Sequence, residues 1–325
     1  MKKDNFISIV LLTTLIFLYS CKNEKIDQKN FAINDSINIS KIIMSDKSGN
    51  SILLKKNKNN WTVNNKYEVW QRQIDYTLKV MEDIRIKSSV SEKKIDYVIK
   101  NIATTGVKIE LFQDDKRIRS YYIGGNTKDY QGTYMMMEDS ETAYIMHIPD
   151  RNPGILNPKF GIEGIQVNEN IWRTPAVIDY SKKDIKKIVF KDNINPEQSF
   201  TVDLENLSLY NFKEQKVVID KTLLSYWTLA FKDLKCGAYK PNLEKDNFDL
   251  IKKIYITTKS TTDSLLIYDK TKIQSTKKEF NPSVEYKYSS FNNSDLFIIQ
   301  NNIFNKVLIT LEEFLIFNGK KPQSL

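Results

Sequence analysis

The second half of this chain replays the first, and that repetition limits the folds open to it more than any other feature. Ile39, Ile42 and Met44 recur as Ile185, Ile188 and Phe190 at an offset of 146 residues. Ile74-Asp75-Tyr76 recurs as Leu224-Ser225-Tyr226, and Asp83-Ile84-Arg85 as Asp233-Leu234-Lys235, both at an offset of 150. Tyr144-Ile145-Met146 recurs as Phe297-Ile298-Ile299 at 153. Loop insertions between two copies of one unit produce an offset that drifts in this way. At 325 residues the chain is also long for a single core, and two domains are the prior. The repeat predicts an α+β fold: a tandem duplication of a mostly antiparallel sheet with helices packed on one face. The first repeat spans 37–180 and the second 181–325, with the junction near Tyr180 to Lys183.

Each copy reads as strands around helices. Ile37, Ile39, Ile42 and Met44 alternate, Ser51 to Leu54 and Trp61 to Val63 follow, and lysine and asparagine clusters with Gly49 separate them as turns. Trp70, Ile74, Leu78, Met81 and Ile84 are spaced by three or four residues and draw one apolar stripe along a helix. A second helix starts near Ser89 with Glu92 completing a capping box, carries Ile95, Val98, Ile99 and Ile102, and ends at Gly106. Val107 to Leu111, Ser120 to Ile123, Thr133 to Met137 and Tyr144 to Ile148 are strands, joined through turns at Gly124-Gly125 and Gly132. The segment from Arg151 to Gly164 holds two prolines and three glycines and reads as a long loop.

The first 20 residues stand apart. Lys2 and Lys3 precede an apolar run from Phe6 to Tyr19, about 21 Å long as a helix, too short for the roughly 30 Å bilayer core. This is the pattern of a signal peptide. Leu18-Tyr19-Ser20-Cys21 has the form of a lipobox, with a small residue before the cysteine that becomes acylated. Residues 1–20 are therefore expected to be removed and Cys21 lipidated, so that the mature protein is held on the membrane by its lipid. The polar stretch 21–36 reads as a flexible tether. The address is the cell envelope, on the periplasmic face of the inner or the outer membrane.

Composition excludes several classes. Net charge is +9, but lysine pairs such as Lys182-Lys183 alternate with acids and no arginine stripe carries stacking aromatics, so no nucleic acid is expected as a partner. The chain has one histidine, His147, and two cysteines, Cys21 and Cys236. A Ser/His/Asp triad, a Cys/His dyad and a histidine-rich zinc site each need histidine at a specific place. No GxxxxGKS/T or GxGxxG string occurs. No cofactor and no metal site is expected. His147 reads as a lone satisfied polar residue, and Cys236, standing where the first copy has Ile86, as a small buried hydrophobe. Carboxylates are abundant, and a glycosidase pair assembled from distant segments stays open.

The aromatics carry the remaining signal. Tyr121, Tyr122, Tyr130 and Tyr134 crowd with Met135 to Met137 around the glycine turns. Two readings are open: a sheet core, or an exposed recognition patch. On the second, Tyr130, Tyr134 and Met136, with Trp172 and Arg173, form the candidate partner-binding set, beside the 151–164 loop.

Tyr121-Tyr122-Ile123-Gly124-Gly125, Gly132-Thr133-Tyr134-Met135-Met136, Tyr144 to Pro149 and Ile171-Trp172-Arg173 together resemble the bacterial lipoproteins that carry the domain of unknown function 4340. The likeness covers most of residues 35–240. It implies an accessory protein of gliding-motility or ABC-transport systems and carries over no catalytic residue. A non-enzymatic envelope module that binds an envelope protein or transport complex is the expected function. The alternative is a carboxylate-dependent hydrolase of envelope glycans.

Overall fold

A computed structural model describes residues 29–34, 38–58, 60–150, 154–180, 185–269 and 286–318. The expected signal segment and the expected lipidation site at Cys21 lie outside them. The chain divides into two compact units, 1–172 and 173–325. Each has its own apolar core.

The first unit runs β1 (Lys41–Ser45), β2 (Ser51–Asn57), β3 (Asn60–Val63), β4 (Tyr67–Glu68), α1 (Gln71–Asp83), β5 (Arg85–Ser89), α2 (Glu92–Thr105), β6 (Val107–Gln113), β7 (Lys116–Asn126), β8 (Thr133–Met137) and β9 (Ala143–His147). These strands form one sheet in the order β4-β3-β2-β1-β6-β7-β8-β9-β5. A hairpin β10 (Ile162–Glu163) and β11 (Gln166–Val167) and the short α3 (Glu169–Trp172) close the unit.

The second unit runs β12 (Ala176–Ile178), β13 (Ile185–Asp192), β14 (Phe200–Asp203), β15 (Ser208–Asn211), β16 (Lys216–Val217), α4 (Lys221–Thr228), β17 (Leu234–Lys235), β18 (Tyr239–Lys240), β19 (Asp249–Thr258), β20 (Thr262–Asp269), β21 (Tyr286–Phe291), β22 (Leu296–Gln300), α5 (Asn301–Phe304) and α6 (Leu311–Asn318). Its sheet order is β16-β15-β14-β13-β19-β20-β21-β22-β18. Matched element by element, the two orders are the same, and every pairing in both sheets is antiparallel.

The repeated residues occupy equivalent places. Ile42 lies between Leu54 and Leu111, and Ile188 between Val202 and Ile256. Met44 lies between Ile52 and Ile109, and Phe190 between Phe200 and Ile254. Successive side chains of a strand point to opposite faces, so a two-residue apolar period buries one face and fixes the register. Ile74 and Leu224, both fully buried, anchor the equivalent helices α1 and α4.

Several details differ from the sequence reading. The repeat begins earlier than residue 37. Phe31 and Ile33 are buried, so 29–34 is a packed strap rather than part of a flexible tether. Ile178 and Tyr180 are their counterparts at an offset of 147: the Ile33 amide donates to the Met81 carbonyl at 3.1 Å, and the Tyr180 amide to the Phe231 carbonyl at 3.2 Å. The division therefore falls between Trp172 and Arg173, ahead of the Tyr180 to Lys183 junction, because β12 packs into the second core.

Helix α2 starts after Ser91, not Ser89, and no side-chain cap forms, since Ser89 is paired in β5. It covers the opposite face of the first sheet from α1: Val98 and Ile102 pack with Ala143 against Tyr122, Tyr134 and Met136, while Tyr121, Met135 and Met137 point into the main core. Among the described residues of the second unit the stretch equivalent to α2 holds only a turn of 3₁₀ helix at Lys245–Asn247. Gly124-Gly125 is no turn. Both residues lie within β7, where the register shifts between Ile123 and Asn126. A Cβ at Gly124 would stand 2.6 Å from Ile102 Cγ1, so glycine there is what lets α2 close on the sheet.

Candidate functional site

In the first unit an open groove of about 620 Å³ lies between the 29–34 strap, the C-terminal end of α1 and the start of β5. Phe31, Ile84, Ile86 and Met146 supply its apolar walls. Phe31 is held from behind by Tyr121 and Tyr144, with ring centroids 6.1 and 6.0 Å away. Four cations, Lys29, Lys79, Arg85 and Arg119, line the groove against two carboxylates, Glu82 and Asp83.

Lys79 takes both carboxylates, at 3.0 and 3.1 Å, and these contacts raise its ammonium above the ordinary lysine value. Arg85 Nη1 donates to the Glu82 and Ile84 carbonyls at 2.6 and 2.8 Å, capping the end of α1. Arg119 Nη1 donates to the Ile118 carbonyl at 2.8 Å. With the Asn30 amide turned to suit its neighbours, its oxygen accepts from Arg119 Nη2 at 2.9 Å and its nitrogen donates to Ala32. The Arg119 Nε–H is buried and has no partner among the described residues. The groove thus combines apolar walls with a larger set of polar and charged lining residues, four cations and two carboxylates among them. No serine, threonine, cysteine, histidine or tyrosine lines it.

The candidate partner-binding residues do not assemble into one surface. Trp172 is fully buried in the first core and Arg173 is 6% exposed in the second unit. Tyr134 and Met136 are half-buried beneath α2. Only Tyr130 is open, 61% exposed, on a turn where its φ is +56°. That turn is tied down. The Thr127 hydroxyl donates to the Gly132 carbonyl at 3.2 Å and accepts from the Gly132 amide at 3.1 Å, and the Gly154 amide donates to the Tyr130 carbonyl at 3.0 Å.

The 151–164 loop, expected as a mobile recognition element, is core over its described part. Leu156 and Phe160 are fully buried, the Leu156 amide donates to Thr133 Oγ1 at 2.8 Å, and Asn157 Nδ2 donates to the Gly124 carbonyl at 3.0 Å. Gly161 adopts φ +66° against the Trp172 ring. Proline and glycine here serve a tight plug, a reading that composition alone could not separate from a flexible loop.

The residues considered for chemistry sit apart from the groove lining. His147 pairs with Arg85 across β9 and β5. Burial and the nearby Lys87 charge lower its imidazole pKa, so it is neutral at pH 7. Cys236 is buried and its thiol is pushed up to about 11, so it stays protonated. Among the described residues no cluster of three His, Cys, Asp or Glu is placed to hold a metal. Glu110 and Glu138 face each other across Lys108 and Arg117, with N–O distances of 2.7 to 3.4 Å. Burial pushes the Glu138 carboxyl up, but the hydrogen bond from Lys108 and the charges of Lys108 and Arg117 bring it below the ordinary value. A carboxylate held ionised cannot serve as the proton-donating acid of a glycosidase pair.

In the second unit Asp192 is 6% exposed and bonded to Lys252, whose ammonium also sits 5.2 Å over the Phe190 ring. Burial raises the Asp192 carboxyl, yet the Asn195 and Ile194 amides and Lys252 outweigh it and leave it below the usual range. A depressed folded pKa stabilises above the unfolded value, near 3.9, and the contribution is lost as pH falls through the folded pKa. Acid unfolding of the second unit should therefore move to higher pH in Asp192→Ala. An unchanged acid midpoint by circular dichroism would remove Asp192 from the acid response.

Comparison with protein-family models, with curated proteins and with solved structures finds no match to this chain.

Proposed function

We propose that the protein is a lipid-anchored, non-enzymatic binding module of the cell envelope and that the groove of the first unit is its ligand site. The observation that carries this reading is the lining of the groove: apolar wall residues, four cations beside two carboxylates, an Arg119 Nε–H that is buried with no partner among the described residues, and no serine, cysteine or histidine. Apolar pockets with a few convergent polar groups are where ligands bind. The envelope address rests on the Leu18 to Cys21 lipobox, and the resemblance to lipoproteins with the domain of unknown function 4340 suggests a partner in gliding-motility or ABC-transport machinery. Among the described residues no helix is long and apolar enough to cross a membrane, so the proposed hold on the bilayer is the lipid.

Two measurements test the reading. The wild-type chain should fractionate with membranes and incorporate palmitate, and Cys21→Ala should do neither, since each acyl methylene contributes roughly 0.8 kcal/mol of burial. Retention and labelling of Cys21→Ala would remove the address. Cross-linking in native membranes should recover a discrete protein partner. Release of sugars from purified envelope glycan, lost in Glu82→Gln, would replace the binding reading with a hydrolase.

A further inference from the structure

We infer that the groove of the first unit takes the phosphate headgroup of an anionic lipid, in the leaflet that carries the protein's own anchor. This deepens the binding-module reading and rests on it, lipidation of Cys21 included. Eight residues separate Cys21 from Lys29, so their reach, however they run, is at most about 29 Å. The strap that follows, 29–34, is itself one wall of the groove. The headgroup zone extends only about 5–8 Å beyond the hydrocarbon core, so an acylated Cys21 keeps the groove within one tether length of lipid headgroups. A site joined to its ligand by a short link meets it at an effective concentration in the millimolar range, where weak pairing suffices.

The lining favours a charged headgroup over an apolar segment. Phe31, Ile84 and Met146 are each 1% exposed, so they offer little surface to an acyl chain or a hydrophobic peptide. A guanidinium has five N–H donors in a planar fork that matches a phosphate. Arg85 uses Nη1 on the two carbonyls that end α1. Arg119 bonds Ile118 and Asn30 through Nη1 and Nη2, and its Nε–H has no partner among the described residues. Glu82 and Asp83, the two carboxylates of the lining, are both held by Lys79.

The second copy supplies a comparison inside the same chain. Leu229 stands at the place of Lys79, Lys235 at that of Arg85, and Lys232 and Asp233 at those of Glu82 and Asp83, all at the offset of 150. Arg119 lies in the row Ile42, Leu111, Arg119, and the equivalent row of the second sheet is Ile188, Ile256, Asp263. Asp263 accepts from the Tyr180 hydroxyl. The copy that follows the anchor thus carries two arginines where the other carries one lysine and a carboxylate bonded within its own unit. A phosphate is attracted at the first place and repelled by Asp263 at the second.

The test uses the mature chain, residues 21–325, with Cys21→Ala, which keeps every described residue and removes the acyl chain from the measurement. It is sedimented with vesicles of phosphatidylcholine, alone or mixed with phosphatidylglycerol. Binding is expected only with phosphatidylglycerol and should fall as salt rises. Each arginine near an anionic surface strengthens binding by about fivefold, so Arg119→Gln combined with Arg85→Gln should weaken it about thirtyfold. Lys213→Gln combined with Lys216→Gln removes the same charge from the exposed β15–β16 turn and should change binding by less than about twofold. Should the arginine pair fail to fold by circular dichroism, Lys79→Gln, at a side chain 56% exposed, releases Glu82 and Asp83 against the phosphate and should weaken binding by about fivefold. Equal loss in the Lys213 and Lys216 variant, or equal binding to phosphatidylcholine alone, overturns the inference. So does capture of a soluble glutamate-rich peptide by the two arginines with no binding to vesicles, which would make the ligand a protein segment. If vesicles fail while the wild-type chain still incorporates palmitate and cross-links to a partner, the headgroup assignment falls and the binding module stands. If palmitate labelling fails as well, the address falls and takes this inference with it.

Discussion

Replacing Trp227 with alanine is expected to destabilise the second unit by about 4 kcal/mol and to leave the first unit unchanged. Trp227 is 2% exposed and stands among three rings: Phe231 and Phe314 at 5.1 Å, both edge-on, and Phe200 at 5.7 Å. Its indole N–H also donates to the Lys306 carbonyl at 3.0 Å. Alanine would leave a cavity whose walls cannot close, because Phe200 is stacked on Phe190 in the sheet at 4.9 Å. It would also remove the indole donor from the Lys306 carbonyl. Two cores with separate residues should give two resolvable transitions in urea, and only one of them should move. Trp227→Phe, which loses the hydrogen bond and keeps most of the ring, should fall well short of the alanine effect. A loss under about 2 kcal/mol, or equal movement of both transitions, would contradict this packing.

Asp295→Ala should destabilise the second unit by about 3 kcal/mol, more than Arg173→Ala. The Arg173 side chain is 5% exposed, donates to Asp295 Oδ2 at 2.8 Å and lies 3.6 Å over the Tyr239 ring. Tyr239 is itself held by donating to the Thr174 carbonyl at 2.7 Å. The Asp295 side chain is 28% exposed, so water can replace Arg173 there far better than it can replace Asp295 in the interior. Removing the aspartate takes a carboxylate at 2.8 Å from a buried guanidinium; removing the arginine takes a cation from a carboxylate that is partly solvated. The double variant with leucine at both positions should recover most of the loss. If Arg173→Ala proved the more harmful, the burial argument would be wrong. Arg173 reads in sequence as a recognition residue because arginine beside tryptophan is common at interfaces. Its surroundings make it a structural residue.

The same comparison applies to the aromatic cluster around the glycines. The two-residue alternation from Ser120 to Ile123 and from Thr133 to Met137 was readable, and with it the division of Tyr121 and Met135 from Tyr122, Tyr134 and Met136. Alternation defines two faces but does not say what covers them. The second face became interior only because α2 folds over it, and the described residues of the other copy hold no counterpart of α2 from which to infer this. Phe31 and Ile33 were within reach of sequence reasoning, since they alternate and match Ile178 and Tyr180, but a polar neighbourhood hid them.

The sequence by itself determined the α+β class, the duplication and the buried face of the central strands, because apolar periodicity and a near-constant offset are local properties that survive without coordinates. The proposed envelope address likewise rests on sequence alone. Only the tertiary structure decided which strands are neighbours, that Trp172 and Arg173 are interior, that the 154–164 segment is a plug, and that a cationic groove separates the strap from β5. Each of these depends on residues brought together from distant parts of the chain. Arg119 stands 89 positions from Asn30 in sequence yet beside it in the groove, and no pattern in either segment announces the other.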